Sequence, residues 1–204
     1  MEECGPKRKL TTILCADCAG FSRMMRADEE KTYQILRDCR KLIDQLIGEH
    51  DGRIFGTGGD SVVAEFPSPV EAVRCANEIQ QSIEGFGAEF PQDHKMHFRI
   101  GINLGDVIIE GNDLIGDGVN VAARLEGLSD PGGICISANV YEQIKNKVTL
   151  DCDDLGDQFV KNMPILCEFF GYAWGHNPSV NARQIGLRLH GAFGSQERAL
   201  SSFF

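Results

Sequence analysis

The stretch Arg53-Ile-Phe-Gly-Thr-Gly-Gly-Asp-Ser-Val-Val-Ala-Glu-Phe66 sets the tightest limit on what this chain can fold into. Two apolar runs rich in strand formers flank a turn at Gly58-Gly59, which predicts a β-hairpin, and Asp60 follows the turn at once. Glycine at such a tip leaves room for a bulky anion to approach the backbone. A carboxylate beside it can hold a hard cation against that anion. The same residues also fit a surface hairpin whose aspartate only shapes the turn, so this stretch alone does not decide between structure and chemistry.

The chain of 204 residues is long enough for one well-buried domain and a short appendage. Its net charge of −10 argues against a broad basic face that holds nucleic acid. Any phosphate it binds must be met locally, by metal or by a few chosen cations. No run of 18 apolar residues occurs, and the opening Met-Glu-Glu-Cys-Gly-Pro-Lys-Arg-Lys lacks the apolar core of a signal peptide. These features predict a cytoplasmic location, or the cytoplasmic piece of something larger, with no membrane partner in this stretch. The eight cysteines sit mostly inside apolar runs, where a reduced thiol acts as a small hydrophobe. Cys15 and Cys18 have CxxC spacing, but no second pair follows, so zinc and redox readings are set aside.

Residues 10–16, Leu-Thr-Thr-Ile-Leu-Cys-Ala, predict a strand closed by Asp17, which puts a second carboxylate at a strand end. Cys18-Ala-Gly-Phe-Ser22 then turns the chain, and its small residues expose backbone N–H groups as a phosphate-binding loop does. A helix is expected from an N-cap at Asp28 to about Ile47, with Tyr33, Leu36, Leu42, Ile43, Leu46 and Ile47 facing inward. Ser68-Pro69-Val70-Glu71 combines an N-cap, proline at the first helical position and an acidic third residue, and opens a helix to about Gly85. A second hairpin is expected between Met96–Asn103 and Val107–Glu110, turning at Leu104-Gly105-Asp106. The order β-α-β-β-α-β predicts an α+β fold with a ferredoxin-like core. Beyond it, a helix over 119–126 puts Asn120 and Arg124, at i and i+4, on one face where they can reach one ligand together. A strand over 134–137, a short helix over 140–144 and strands near 148–150 and 166–172 follow. From Gly175 the periodicity fades and three arginines stand against one glutamate, which reads as a poorly ordered or loosely docked tail. The chain thus divides into an extension over 1–9, a catalytic domain over 10–174 and the tail over 175–204.

Two aspartates at strand ends separated by one helix converge on neighbouring strands of such a fold, where they can bridge divalent cations. At this point the residues carry a resemblance. Ala16-Asp17-Cys18-Ala19-Gly20-Phe21-Ser22, Gly58-Gly59-Asp60 with Phe66, Phe98-Arg-Ile-Gly-Ile-Asn-Leu-Gly-Asp106 and Asp113-Leu-Ile-Gly-Asp-Gly-Val-Asn-Val-Ala-Ala-Arg124 occur in order. Together they resemble the class III nucleotidyl cyclase catalytic domain of bacterial type, over residues 10 to about 170.

The resemblance implies an adenylate cyclase that forms 3′,5′-cyclic AMP and pyrophosphate from ATP. Asp17 and Asp60 would each ligate two Mg²⁺ or Mn²⁺ ions, with the Cys18 carbonyl completing one shell. One ion would activate the ribose 3′-hydroxyl and the other would clamp the triphosphate. Backbone amides of Ala19, Gly20, Phe21 and Ser22 would cradle the β- and γ-phosphates, and Lys161 stands for the family's late phosphate-binding lysine. Asn120 would hold the ribose and Arg124 would neutralise charge on the α-phosphate in the transition state. Asp113 falls at the purine-reading position, where a carboxylate accepts from the adenine N6 amine and repels the guanine O6. In the family the metal aspartates come from one subunit and the Asn and Arg from its partner. This chain has both halves, so a homodimer with two equivalent sites is expected.

One departure bears on the substrate. The family's adenine-reading lysine would stand four residues before the hairpin aspartate, and Gly56 occupies that position. Selectivity then rests on Asp113 and packing, which implies slack discrimination between ATP and GTP or reduced activity. Two other readings compete: a lapsed cyclase fold serving as a regulatory nucleotide-binding module, and the Gly-Gly-Asp arrangement of diguanylate cyclases and polymerase palms. The second lacks a place for Asp113 and for the Asn120/Arg124 helix.

Overall fold

β1 (Arg8–Cys18) is the strand on which the sheet is assembled. The computed structural model describes residues 6–148 and the backbone of residues 153–154 and 170–171. β1 runs antiparallel to β3 (Ser61–Phe66) on one side, from Thr12 opposite Phe66 to Ala16 opposite Val62. On its other side it pairs along its whole length with β4 (Phe98–Glu110), from Arg8 opposite Ile108 to Cys18 opposite Phe98. β2 (Arg53–Gly58) flanks β3, and β5 (Asp113–Ile115) flanks the far end of β4, giving the order β2-β3-β1-β4-β5. β6 (Ile134–Ile136) pairs parallel to the first part of β4, Ile100 to Ile102. The short strands β7 (Asp153–Asp154) and β8 (Phe170–Gly171) pair with each other.

Alternation along β1 separates two layers. Leu14, Ala16 and Cys18 enter the main core, and Ile13 and Cys15 enter a smaller cluster on the other face. The main core lies beneath α2 (Glu29–Glu49), α3 (Pro69–Gly87) and α5 (Ala138–Ile144), which bury Ile43, Ile47, Ile79 and Ile144 almost completely. Each such side chain withdrawn from water contributes about 1.5–3 kcal/mol. The smaller cluster is covered by α4 (Asp117–Leu128), and α1 (Phe21–Ala27) follows β1 directly. This is the expected α+β, ferredoxin-like core with further strands and helices added to it.

Both expected N-caps form. The Asp28 carboxylate accepts from the Lys31 N–H at 3.1 Å and the Ser68 hydroxyl accepts from the Val70 N–H at 3.2 Å. Of the expected inner face of α2, Leu36, Ile43, Leu46 and Ile47 are buried, whereas Tyr33 is not. Thr32, Leu36, Cys39, Ile43 and Ile47 follow one another at steps of three or four residues, which leaves Tyr33 60% exposed. Leu42 is partly buried against the core.

The second expected hairpin is not formed at 104–106. β4 continues through Leu104-Gly105-Asp106 without a break and remains paired with β1. Gly105 is small for a different reason: a Cβ there would stand 2.9 Å from the Gly118 Cα, so it admits the start of α4. The reversal comes at Gly111-Asn112, where Gly111 has φ of 62° and connects the paired Glu110 and Asp113. Among the described residues, no helix is long and apolar enough to cross a membrane.

Candidate active site

The tip of the first hairpin is one residue later than expected. Gly58 pairs with Ser61, so the two turn residues are Gly59, with φ of 61°, and Asp60 itself. The β1–β3 register, carried two steps beyond Ala16 opposite Val62, puts Asp60 beside Cys18. The Asp17 and Asp60 carboxyl groups are thus close enough for each to act on the other's charge, and the Cys18 N–H faces Asp60. Partial burial raises the Asp60 pKa, its own N–H and that of Cys18 oppose the rise, and the Asp17 charge adds to it. Two carboxylates crowded in this way favour a cation between them.

The nearest cation is Arg99, directly opposite Asp17 in the β1–β4 register. One guanidinium nitrogen, Nη2, lies 2.9 Å from Asp17 Oδ2 and 3.0 Å from Glu126 Oε1. Burial raises the Glu126 pKa, Arg99 pulls it back, and the charges of Asp17 and Asp60 push it up again. Glu126 reaches this place because α4 lies almost on the backbone of β4. A Cβ at Gly101 would stand 2.2 Å from both the Ala122 carbonyl oxygen and the Glu126 nitrogen. The side-chain amide of Asn103 fixes the other end of the helix by donating to the Gly118 carbonyl at 3.0 Å.

Asp17, Cys18 and Asp60 are therefore brought together at one end of the sheet. The Cys18 side chain is buried in the main core and its thiol is pushed up to about 12, chiefly by desolvation, which leaves the main chain as its means of holding a cation. Cys15, its partner in the CxxC spacing, is buried on the opposite face with its thiol also near 12. Among the described residues, no three His, Cys, Asp or Glu side chains gather as a metal cluster. What the site offers a hard cation is two carboxylates and a neighbouring main-chain carbonyl, a donor set suited to Mg²⁺ or Mn²⁺ when substrate and water supply the rest.

The other expected residues are distributed along the domain. The Ala19 N–H donates to the His97 carbonyl at 2.8 Å and so is already committed, which corrects its expected part in the phosphate cradle. Gly20, with φ of 75°, caps α1, which opens with Phe21 and Ser22. Phe21 also packs on the main core. On α4, Asn120 is exposed, and Arg124 is half-buried with its Nη1 enclosed and, among the described residues, without a hydrogen-bond partner. Asp113 is exposed at the start of β5, beside Asn112, whose carbonyl accepts from Arg53 Nη1 at 2.8 Å. Arg53 begins β2 and Asp60 follows its end, so roughly 20 Å of extended strand separates Asp113 from Asp60. Lys161 and residues 175–204 lie outside the described residues. Arg99 and Glu126 are the members that sequence reasoning missed. Arg99 stands inside the quoted Phe98–Asp106 motif, and its antiparallel register with Asp17 was the signal available.

A six-stranded α+β sheet with two carboxylates at adjoining strand ends is the framework of a site that can hold divalent cations. Residues 6–170 match the adenylate and guanylate cyclase catalytic domain, and the chain belongs to that family, as a class III cyclase domain. It is 40% identical over 181 residues to a Rhizobium meliloti (strain 1021) protein provisionally named adenylate cyclase 3, an alignment covering 87% of this chain and 30% of that relative. Adenylate cyclase 1 of the same organism is 28% identical over 161 residues, 69% of this chain and 24% of the relative. The chain thus spans less than a third of either. Among solved structures, the adenylate/guanylate cyclase/hydrolase from Silicibacter pomeroyi superposes with a TM-score of 0.77 at 39% identity, over 83% of this chain and 99% of that one. The adenylyl cyclase CyaB from P. aeruginosa, at 24% identity and a TM-score of 0.69 over 84% and 97% of the two chains, shares the fold.

Proposed function

We propose that this domain converts ATP to 3′,5′-cyclic AMP and pyrophosphate at sites shared between two copies of the chain. The observation that carries the reading is the β1–β3 register, which brings Asp17, at the end of β1, next to Asp60, at the tip of the first hairpin. Held there, two Mg²⁺ or Mn²⁺ ions would supply Lewis-acid activation of the ribose 3′-hydroxyl and neutralise the triphosphate. Asn120 and Arg124 present an amide and a guanidinium from successive turns of α4. The first orients the ribose and the second takes up charge that grows on the α-phosphate. The N–H groups of Gly20, Phe21 and Ser22, with Lys161, hold the outer phosphates. Asp113 accepts from the adenine amine.

Two features favour a shared site over one enclosed in a single chain. Asp113 stands roughly 20 Å of strand away from Asp60, and the enclosed Nη1 of Arg124 has no hydrogen-bond partner among the described residues. A second copy would bring its Asp113, Asn120 and Arg124 to the first copy's aspartates. Gly56 removes the base-reading amine, so GTP is turned over as well, at a lower rate set by Asp113.

The test is incubation of the purified chain with ATP or GTP in Mg²⁺ or Mn²⁺, with the products resolved by chromatography. Cyclic AMP is expected as the main product and should vanish in Asp17→Asn and Asp60→Asn. Nucleotide binding without any cyclic product in either metal would instead make this a regulatory module.

A further inference from the structure

We infer that Glu126 is a positioning residue that draws Arg99 away from Asp17 and so opens the aspartate pair to cations. The inference rests on the reading of Asp17 and Asp60 as cation ligands, and goes beyond it by assigning work to a residue outside the ligand set.

Asp17 and Glu126 share one guanidinium, with the Asp60 carboxylate nearby. A single nitrogen of Arg99 is placed between Asp17 Oδ2 at 2.9 Å and Glu126 Oε1 at 3.0 Å. Arg99 is thus the resident counter-ion of Asp17, and a divalent cation must compete with it for that carboxylate. Were Asp17 its only partner, cation binding would leave a half-buried guanidinium without an anion, at high cost. Glu126 removes that cost, because Arg99 can stay on Glu126 when it releases Asp17. The geometry is fixed from both sides: Arg99 by its register opposite Asp17, and Glu126 by the approach of α4 to Gly101. Among the described residues Glu126 has no other cationic partner, and its Oε1 is enclosed with only this ion-pair contact. Arg99 Nε is enclosed without a hydrogen-bond partner, so the guanidinium is held by its outer nitrogen and can tip between the two carboxylates.

The experiment measures Mn²⁺ affinity without nucleotide, by electron paramagnetic resonance of free Mn²⁺ at pH 8, on the full chain and on Glu126→Gln, Arg99→Gln and the double variant. Glu126→Gln keeps shape and volume, and circular dichroism checks that each variant is folded. Glu126→Gln should weaken Mn²⁺ binding about tenfold, the scale on which residues beside metal ligands act. Arg99→Gln should bind at least as tightly as the unaltered chain. In the Arg99→Gln background, adding Glu126→Gln should cost less than a third of its fold-effect in the unaltered chain, because no guanidinium remains to be stationed. Rescue of the single variant by Glu126→Asp is not expected, since the shorter side chain withdraws from Arg99.

Equal penalties in both backgrounds would show Glu126 acting on the cation through its own charge and would overturn the inference, as would an unchanged affinity in Glu126→Gln. Failure of the underlying reading is separable: Asp17→Asn and Asp60→Asn would then bind Mn²⁺ as the unaltered chain does.

Discussion

At the scale of single residues, the position on which the proposed base selectivity turns most directly is Gly56. It lies on β2 opposite Val63, past a register shift between Ile54 and Gly56, and a Cβ there would meet Val63 at 3.4 Å. That is a tight but workable contact, so a long side chain can enter. Gly56→Lys restores an amine where the resemblance expects one, and the ratio of ATP to GTP turnover should rise severalfold. An unchanged ratio in the folded variant would count against this placement of the base. Arg40 presents a different case, a residue of α2 that supports the hairpin tip. Its Nη1 donates to the Ser61 carbonyl at 2.9 Å, one residue beyond Asp60, and its side chain is only 17% exposed. A charge-assisted hydrogen bond of this kind contributes about 1.5–3 kcal/mol. Arg40→Ala should lower the unfolding free energy by about that amount in urea denaturation, and cyclic product formation should fall with it as Asp60 loses its support. Stability unaltered within error would mean that the contact has no energetic role.

Among the elements, α2 and α3 are joined by a clamp that titrates. His50, the C-cap of α2, places Nδ1 3.1 Å from Glu71 and Nε2 2.7 Å from Glu78, both on α3. Partial burial alone would lower the His50 pKa, but the two carboxylates outweigh it and the net shift is upward. A group whose pKa is higher folded than unfolded stabilises the fold fully below its unfolded value, about 6.5, and loses that contribution as pH rises through the folded value. The thermal midpoint should therefore fall by about 2–4 °C between pH 6 and pH 8.5 for each kcal/mol lost, and His50→Gln should flatten this part of the profile. A midpoint equally pH-dependent in both proteins would assign the effect elsewhere. None of this clamp was legible in the sequence, because its partners are 21 and 28 residues apart. What was legible is local: the caps at Asp28 and Ser68, the first hairpin, and the βαββαβ order all follow from neighbours within a few residues. The misplaced second hairpin shows the boundary. Gly105-Asp106 has the composition of a turn, but here the missing side chain serves the approach of α4 to the sheet, a demand that only the folded chain makes visible. Tyr33 was misread for a related reason. An aromatic residue at helical spacing suggests a core face, and only the packed sheet fixes which phase of α2 turns inward.

For the whole molecule, the same boundary divides the site itself. Motifs single out Asp17, Asp60, Asn120 and Arg124 as candidates, whereas the joining of Asp17 to Glu126 through Arg99 depends on pairing across 82 residues of chain. Motifs mark residues that act on a ligand, and say little about the groups that hold those residues ready. They also cannot say whether one chain suffices. If each site takes its aspartates from one copy and its Asn120 and Arg124 from another, two defective chains should repair each other. Asp60→Asn leaves a copy with an intact α4 face, and Arg124→Ala leaves one with an intact carboxylate pair, so each homodimer is inactive at both sites. A mixed dimer has one site with both defects and one with neither. Random exchange of equal amounts makes half the dimers mixed, and each carries one good site of two, so activity should return to about a quarter of that of the unaltered protein. Labelling the two variants with different tags and isolating the dimer that carries both raises the expectation to about one half. Verified mixed dimers without cyclic nucleotide formation would mean that each chain completes its own site.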